Sequence, residues 1–210
     1  MQQYPKIPRT NRATAHFHKN CVAFYKYDGS NTRFEWNHKK GWYKFGTRKN
    51  MIDKHDPIWG RIIPLFLETL AEPLEKVFYS SDLYRSQKNY TVFAEWLGPS
   101  SFAGFHKRQE PKELVLFDVW QNKFGFIDPK TFVEDFGHLN IPKVIYRGKF
   151  TGQFVEDVKN GKYDLLEGVV CKGTYTRFKD YWTAKIKTDE YERKLKEFNG
   201  TNWMEYWKSE

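Results

Sequence analysis

The chain has 210 residues, with 35 Lys and Arg against 26 Asp and Glu, a formal charge of +9, 40% hydrophobic residues and 19% aromatic residues. That much apolar side chain can build a core and excludes a disordered polyelectrolyte, while the positive excess favours a polyanionic partner. No apolar run reaches the roughly 18 residues of a membrane span, because Arg61, Pro64 and Glu68 break the longest candidate, Ile58 to Leu70.

In chain order, short runs rich in β-branched and aromatic residues and bounded by Gly, Pro, Asn or Asp predict strands over Cys21–Tyr27, Thr32–Trp36, Trp42–Phe45, Thr91–Trp96, Leu114–Trp120, Val144–Tyr146, Gly168–Lys172 and Thr183–Lys187. Helical spacing runs from Ile58 to Ser80, with interruptions expected at Pro64 and Pro73, and recurs over Lys130–Phe136, Thr151–Asn160 and Asp189–Phe198. The mixture is α+β, strands dominate, and no linker or repeat marks a boundary, so one domain over residues 1–210 is expected. Cys21 and Cys171 are too few for a disulfide framework or a four-thiolate zinc site; they read as buried small hydrophobes in a reducing, cytoplasmic compartment. His16 and His18 share a face if their segment is a strand, yet no third ligand is near, so they read as structural or surface residues.

Five segments carry chemistry. Between Asn31 and Asn50, the cations Arg33, Lys39, Lys40, Lys44, Arg48 and Lys49 interleave with Phe34, Trp36, Trp42, Tyr43 and Phe45, a pattern suited to phosphates and bases and equally to half-buried strands with a solvated face. Lys26 lies two residues before Asp28 at a strand end, which puts both on one side. A lysine with an ordinary pKa of about 10.4 is only ~0.04% neutral at pH 7, so a lysine nucleophile needs cationic neighbours, desolvation or a metal. Glu95 and Glu167 place carboxylates in or beside apolar strands, where an unpaired charge is costly, and Lys185 and Lys187 share a strand face. Two acids able to hold a ribose or a metal, a lysine pair able to hold phosphate and a candidate nucleophile form an inventory for nucleotidyl transfer.

In order, Lys26-Tyr27-Asp28-Gly29, Phe93-Ala94-Glu95, Leu116-Phe117-Asp118-Val119, Glu167-Gly168-Val169-Val170 and Lys185-Ile186-Lys187 resemble motifs I, III, IIIa, IV and V of the covalent nucleotidyltransferases, the superfamily of polynucleotide ligases and capping enzymes. Asn31, five residues after Lys26, and the run Glu95-Trp96-Leu97-Gly98-Pro99 resemble the RNA ligase 2 type, with Ala94 where Gly is common. The resemblance implies an ATP-grasp-like core of two antiparallel sheets flanking the nucleotide pocket, with peripheral helices. It also implies a ligase that uses ATP and Mg2+ or Mn2+ to join 5′-phosphate and 3′-hydroxyl ends through lysyl-AMP and an adenylylated 5′ end. Lys26 is then the nucleophile and Asp28 its orienting acid; Lys185 and Lys187 neutralise the α-phosphate. Asn31 and Arg48 act around the phosphates, Glu95 binds ribose, Phe117 stacks on adenine with Asp118 beside it, and Glu167 holds the metal.

Only 23 residues follow Lys187 and 25 precede Lys26. Neither a C-terminal OB-fold or helical domain nor a nicotinamide-recognising domain is therefore expected, and the chain is expected to be a monomer that meets RNA or a nicked duplex, in the host cytoplasm if phage-encoded. Nucleic acid would lie on Arg33, Lys39, Lys40, Lys44 and Lys49, with Lys172, Arg177 and Lys179. A small DNA ligase and a nucleic-acid-binding remnant without catalysis are the alternatives.

Overall fold

The computed structural model describes residues 1–10, 14–98, 101–107, 109–174 and 181–209. Its strands are β1 (Asn20–Lys26), β2 (Ser30–Asn37), β3 (Gly41–Thr47), β4 (Met51–Ile52), β5 (Asn89–Leu97), β6 (Glu113–Gln121), β7 (Gly125–Phe126), β8 (Val144–Lys149), β9 (Gly168–Gly173) and β10 (Thr183–Lys187). The α-helices are α1 (Ile62–Phe66), α2 (Glu72–Ser80), α3 (Asp82–Arg85), α4 (Pro129–Phe136), α5 (Gly152–Lys159), α6 (Asp189–Asn199) and α7 (Trp203–Ser209). The fold is α+β with two antiparallel sheets, ordered β10-β9-β1-β8 and β4-β3-β2-β5-β6-β7. The chain divides into two compact units: Met1–Tyr4, Ser30–Trp96 and Pro111–Ile141 form the first, and Pro5–Gly29, Leu97–Glu110 and Pro142–Glu210 the second. Because β1 and β2 enter different sheets, the Asp28-Gly29 turn is a crossover, and Lys26 ends a central strand.

In the first unit, alternation along β2 sends Phe34 and Trp36 to the helical side of the six-stranded sheet. There Phe34 stacks on Phe66 of α1 at 3.8 Å, and Trp36 meets Phe78 of α2, which itself stacks on Tyr90 at 4.0 Å. Each such ring removes enough apolar surface from water to contribute ~2–3 kcal/mol. The predicted helix over Ile58–Ser80 differs in two ways. It starts at Ile62, because Asp56 accepts bonds from the amides of Ile58 and Trp59 and holds the preceding residues as turns. Its prolines do not interrupt it: Pro64 sits in the first turn, where the amide has no intrahelical acceptor, and a π-helical stretch, Leu67–Ala71, runs into α2 ahead of Pro73.

In the second unit, Cys21, Ala23, Val169, Cys171, Ala184 and Ile186 point from one face of the four-stranded sheet into a core completed by Phe154, Val155 and Val158 of α5. Thr151 caps α5 by accepting the Phe154 amide. Both cysteines are free and buried, as expected. The histidines do not share a strand face, since Thr14–His16 is a 3-10 turn and His18 has a φ of 68°. His16 stacks on Trp182 at 4.7 Å instead. Beyond α6, Trp203–Ser209 is helical as α7. Among the described residues no helix is long and apolar enough to cross a membrane.

Candidate active site

The opposite face of the four-stranded sheet is cationic. The register aligns Lys26, Gly168 and Lys187 in one row, Phe24, Val170 and Lys185 in the next, and Val22, Lys172 and Thr183 in a third. Directly opposed residues share a face, so Lys26, Lys172, Lys185 and Lys187 all lie on the side away from the apolar core. Glu167 enters this row from the head of β9 and is fully buried. One of its oxygens is 2.7 Å from Lys26 Nζ and 3.2 Å from Lys187 Nζ. Its backbone is fixed as firmly: the Thr188 amide donates to the Glu167 carbonyl at 2.9 Å, Thr188 Oγ1 donates to the Leu166 carbonyl, and the Leu166 amide donates to Tyr25 Oη at 3.2 Å. Gly168 adopts a φ of +147°, and a Cβ there would lie 2.0 Å from the Ile186 carbonyl oxygen, so the close β9–β10 approach that pairs it with Lys187 requires glycine.

Crowding three ammonium groups around one carboxylate has an electrostatic consequence. Burial first, then repulsion from Lys26 and Lys187, lowers Lys185 to about 7. Burial also lowers Lys187, to about 8, with Glu167 opposing and Lys26 reinforcing the shift. A face that holds its cations this reluctantly is ready for an anion, whose arrival offsets both burial and repulsion. Asp28 is buried and engaged: its carboxylate accepts from the amides of Phe102 and Ala103 at 3.2 and 2.9 Å and from the Tyr191 hydroxyl at 3.0 Å. Tyr191 was not singled out by sequence. Its only local signal is a capping threonine three residues earlier, Thr188, which marks the start of α6.

In the first unit, Asn31 on β2 is paired with Glu95 on β5, so the two side chains are neighbours, and Asn31 Oδ1 is buried with no hydrogen-bond partner among the described residues. Phe93, two residues from Glu95 and hence on its face, packs against half-buried Phe117 with ring centroids 6.2 Å apart. Tyr4 covers these rings edge-on, 5.1 Å from Phe93 and 5.0 Å from Phe117, and donates its hydroxyl to Asp118 at 2.9 Å. Asp118, placed beside adenine by sequence, is therefore buried and holds Tyr4 and the Val119 amide. Arg48 is half-buried in the bend after β3.

The expected nucleic-acid face separates into two groups. Lys39, Lys40 and Lys49 are exposed, and Lys44 lies 3.7 Å from Glu35 and, like Lys40, over the Tyr43 ring at 5.1 Å. Arg33 does not belong with them. It is buried, and its guanidinium donates to the carbonyls of Met1, Gln2 and Lys49, because this basic strand position faces its own chain. Lys172 is likewise buried, with its ammonium 5.1 Å over the Phe24 ring. Arg177 and Lys179 lie outside the described residues.

No curated protein matches the sequence. Among solved structures, the chain resembles a putative ATP-dependent DNA ligase from Aquifex aeolicus, at 19% identity over 91% of this chain and 51% of that one, with a TM-score of 0.64. It also resembles a Naegleria gruberi RNA ligase with PPi, at 12% identity over 94% and 58% and a TM-score of 0.67. An archaeal ATP-dependent RNA ligase matches at 17% identity over 91% and 50%, with a TM-score of 0.61. The chain spans about half the length of these structures, and at such identities the likeness shows the fold. The profile of the RNA ligase family matches residues 19–187, a span that includes the lysine nucleophile candidate, Glu95, Glu167 and the Lys185–Lys187 pair; the chain belongs to the RNA ligase family.

Proposed function

We propose that this chain is an ATP-dependent polynucleotide ligase that joins 5′-phosphate and 3′-hydroxyl ends, with RNA as its substrate. The observation that carries the reading is the pair Lys26 and Lys187 gathered on the fully buried Glu167, with Lys185 in the adjoining row of the same sheet face. Having lost one proton to solvent, Lys26 Nζ attacks the α-phosphorus of ATP and releases a second as the phosphoramidate forms. A phosphorus–nitrogen bond forms, the bond to the β-phosphate oxygen breaks, and pyrophosphate leaves with the electron pair. The nucleic acid's 5′-phosphate then takes the adenylyl group from Lys26, and the 3′-hydroxyl displaces AMP.

Within this reading Lys185 and Lys187 neutralise charge that grows on the α-phosphate oxygens. Lys26 acts as the neutral amine, since only the free lone pair of Nζ can attack phosphorus. Asp28 holds the turn behind the nucleophile. Glu95 takes the ribose, Phe117 the base, and Asn31 and Arg48 the phosphates. Glu167 is the carboxylate that would hold a divalent cation, since one carboxylate together with nucleotide phosphates and water is a usual environment of Mg2+. Such an ion would add positive charge at the reacting phosphate. The Naegleria ligase has been solved with ATP and Mn, which supports this choice of nucleotide and metal. Lys39, Lys40, Lys44 and Lys49 contact nucleic-acid phosphates.

The test is incubation with labelled ATP and Mg2+. Wild type should acquire an acid-labile, alkali-stable adenylyl group, and Lys26→Ala should acquire none; a full-strength adduct on the variant refutes the assignment. The likeness to the Aquifex DNA ligase favours DNA as a second substrate, and a panel with single ribonucleotides or deoxyribonucleotides at the 3′ side of the junction decides between them.

A further inference from the structure

We propose that Tyr191 is a positioning residue for the transfer step, one that holds the nucleophile turn and the second lysine of the phosphate-binding pair in register; the proposal rests on the adenylyl-transfer reading above. Tyr191 lies in the first turn of α6 and is fully buried with Ala103 and Leu195. Packing alone would be satisfied by phenylalanine. Yet the hydroxyl donates 3.0 Å to Asp28 Oδ1, the oxygen that also accepts the Phe102 amide, while Oδ2 accepts the Ala103 amide. The same ring lies 4.6 Å beneath Lys187 Nζ. One side chain therefore touches the acid two residues after Lys26 and the lysine whose strand position is in the same row as Lys26.

The physical case is that Tyr191 adds to the hold on both groups, beyond the two amides on Asp28 and the Glu167 carboxylate beside Lys187. Asp28 is a buried carboxylate, and a hydroxyl donor is a strong share of its stabilisation. Lys187 loses hydration in the site, and the negative face of an aromatic ring returns part of that loss while fixing the direction from which the ammonium approaches Glu167. The ring is itself anchored, since its amide is capped by Thr188 Oγ1 at 3.0 Å and the Thr188 amide bonds the Glu167 carbonyl. Tyr191 is thus tied through short links to Asp28, Lys187 and the backbone of Glu167.

Two variants separate the hydroxyl from the ring. Tyr191→Phe keeps the ring beneath Lys187 and removes the bond to Asp28; Tyr191→Leu removes both. Single-turnover adenylylation with labelled ATP should slow about 10-fold in Tyr191→Phe and about 100-fold in Tyr191→Leu, with the ATP concentration for half-saturation changed less than about twofold. Backbone hydrogen exchange supplies a readout independent of activity: the amides of Phe102 and Ala103, held by Asp28, should exchange about 10-fold faster in Tyr191→Phe. Normal rates in folded variants, or a loss expressed wholly as weaker ATP binding, overturn the proposal. So does unchanged exchange at both amides. A wild-type protein that takes no label from ATP counts against the ligase reading instead, and the exchange measurement alone then decides whether Tyr191 holds Asp28.

Discussion

Lys185→Met should make the protein more stable at neutral and acidic pH while abolishing adenylyl transfer. Methionine keeps the length of the side chain and leaves the backbone bonds in place, in which the Lys185 amide donates to Pro8 and its carbonyl accepts Thr10 Oγ1. It removes only the ammonium. Burial and the neighbouring lysines lower that group from 10.5 to about 7. Below pH 7 it is charged in both folded and unfolded chains, and the full cost of burying it is present. Between pH 7 and 10.5 the folded protein sheds the proton and the unfolded chain keeps it, so stability rises with pH across this window; above 10.5 both are neutral and the cost is gone. At 1.36 kcal/mol per pH unit, the interval from about 7 to 10.5 sets an upper bound of ~5 kcal/mol, and relaxation of the neighbouring ammonium groups lowers the expected gain to ~2–3 kcal/mol. Urea unfolding of both proteins at pH 6, 7.5, 9 and 10.5 measures it. The variant's advantage should be greatest at pH 6, shrink above pH 7 and close near 10.5. An advantage that is absent at pH 6, or that widens as pH rises, refutes the electrostatic account of this face.

Gly168→Ala should lower the thermal midpoint and the adenylylation rate together, at a cost of ~3 kcal/mol or more, because the new Cβ meets the Ile186 carbonyl and the left-handed φ is strained; a midpoint within a degree or two of wild type contradicts the close approach of β9 and β10 at Gly168. Arg33→Met should destabilise the protein by ~2–3 kcal/mol in urea, since three carbonyls lose a charged donor, and it should leave duplex affinity unchanged, which separates it from Lys39, Lys40 and Lys44. For those lysines, raising salt from about 50 to 200 mM should suppress end joining well before it suppresses lysyl-AMP formation, with a log-log affinity slope of roughly −0.9 per phosphate contacted on a duplex. Parallel titrations that fall together, or unaltered sealing after neutralising all three, would make the basic surplus a solvated face.

Much of the site is legible along the chain because strand periodicity is local. Thr183–Lys187 has its predicted bounds, and a period of two places Lys185 and Lys187 on one face whatever the strand pairs with. Glu167 before an apolar run, and Lys26 at the end of another, likewise disclose carboxylate and amine without the tertiary fold. Which charges are buried is not a local property. Arg33 reads as one more cation in a basic segment until the first residues of the chain fold over it and supply carbonyls. Lys172 reads as a surface contact until β9 takes its place between β10 and β1 and lays it over Phe24. Asp28 reads as a partner of Lys26 because the two are close in sequence, yet its carboxylate accepts hydrogen bonds from residues 102, 103 and 191. Alternation tells which face a side chain takes; only long-range pairing determines what covers that face, and the covering groups set whether a charge meets water, a carbonyl or another charge.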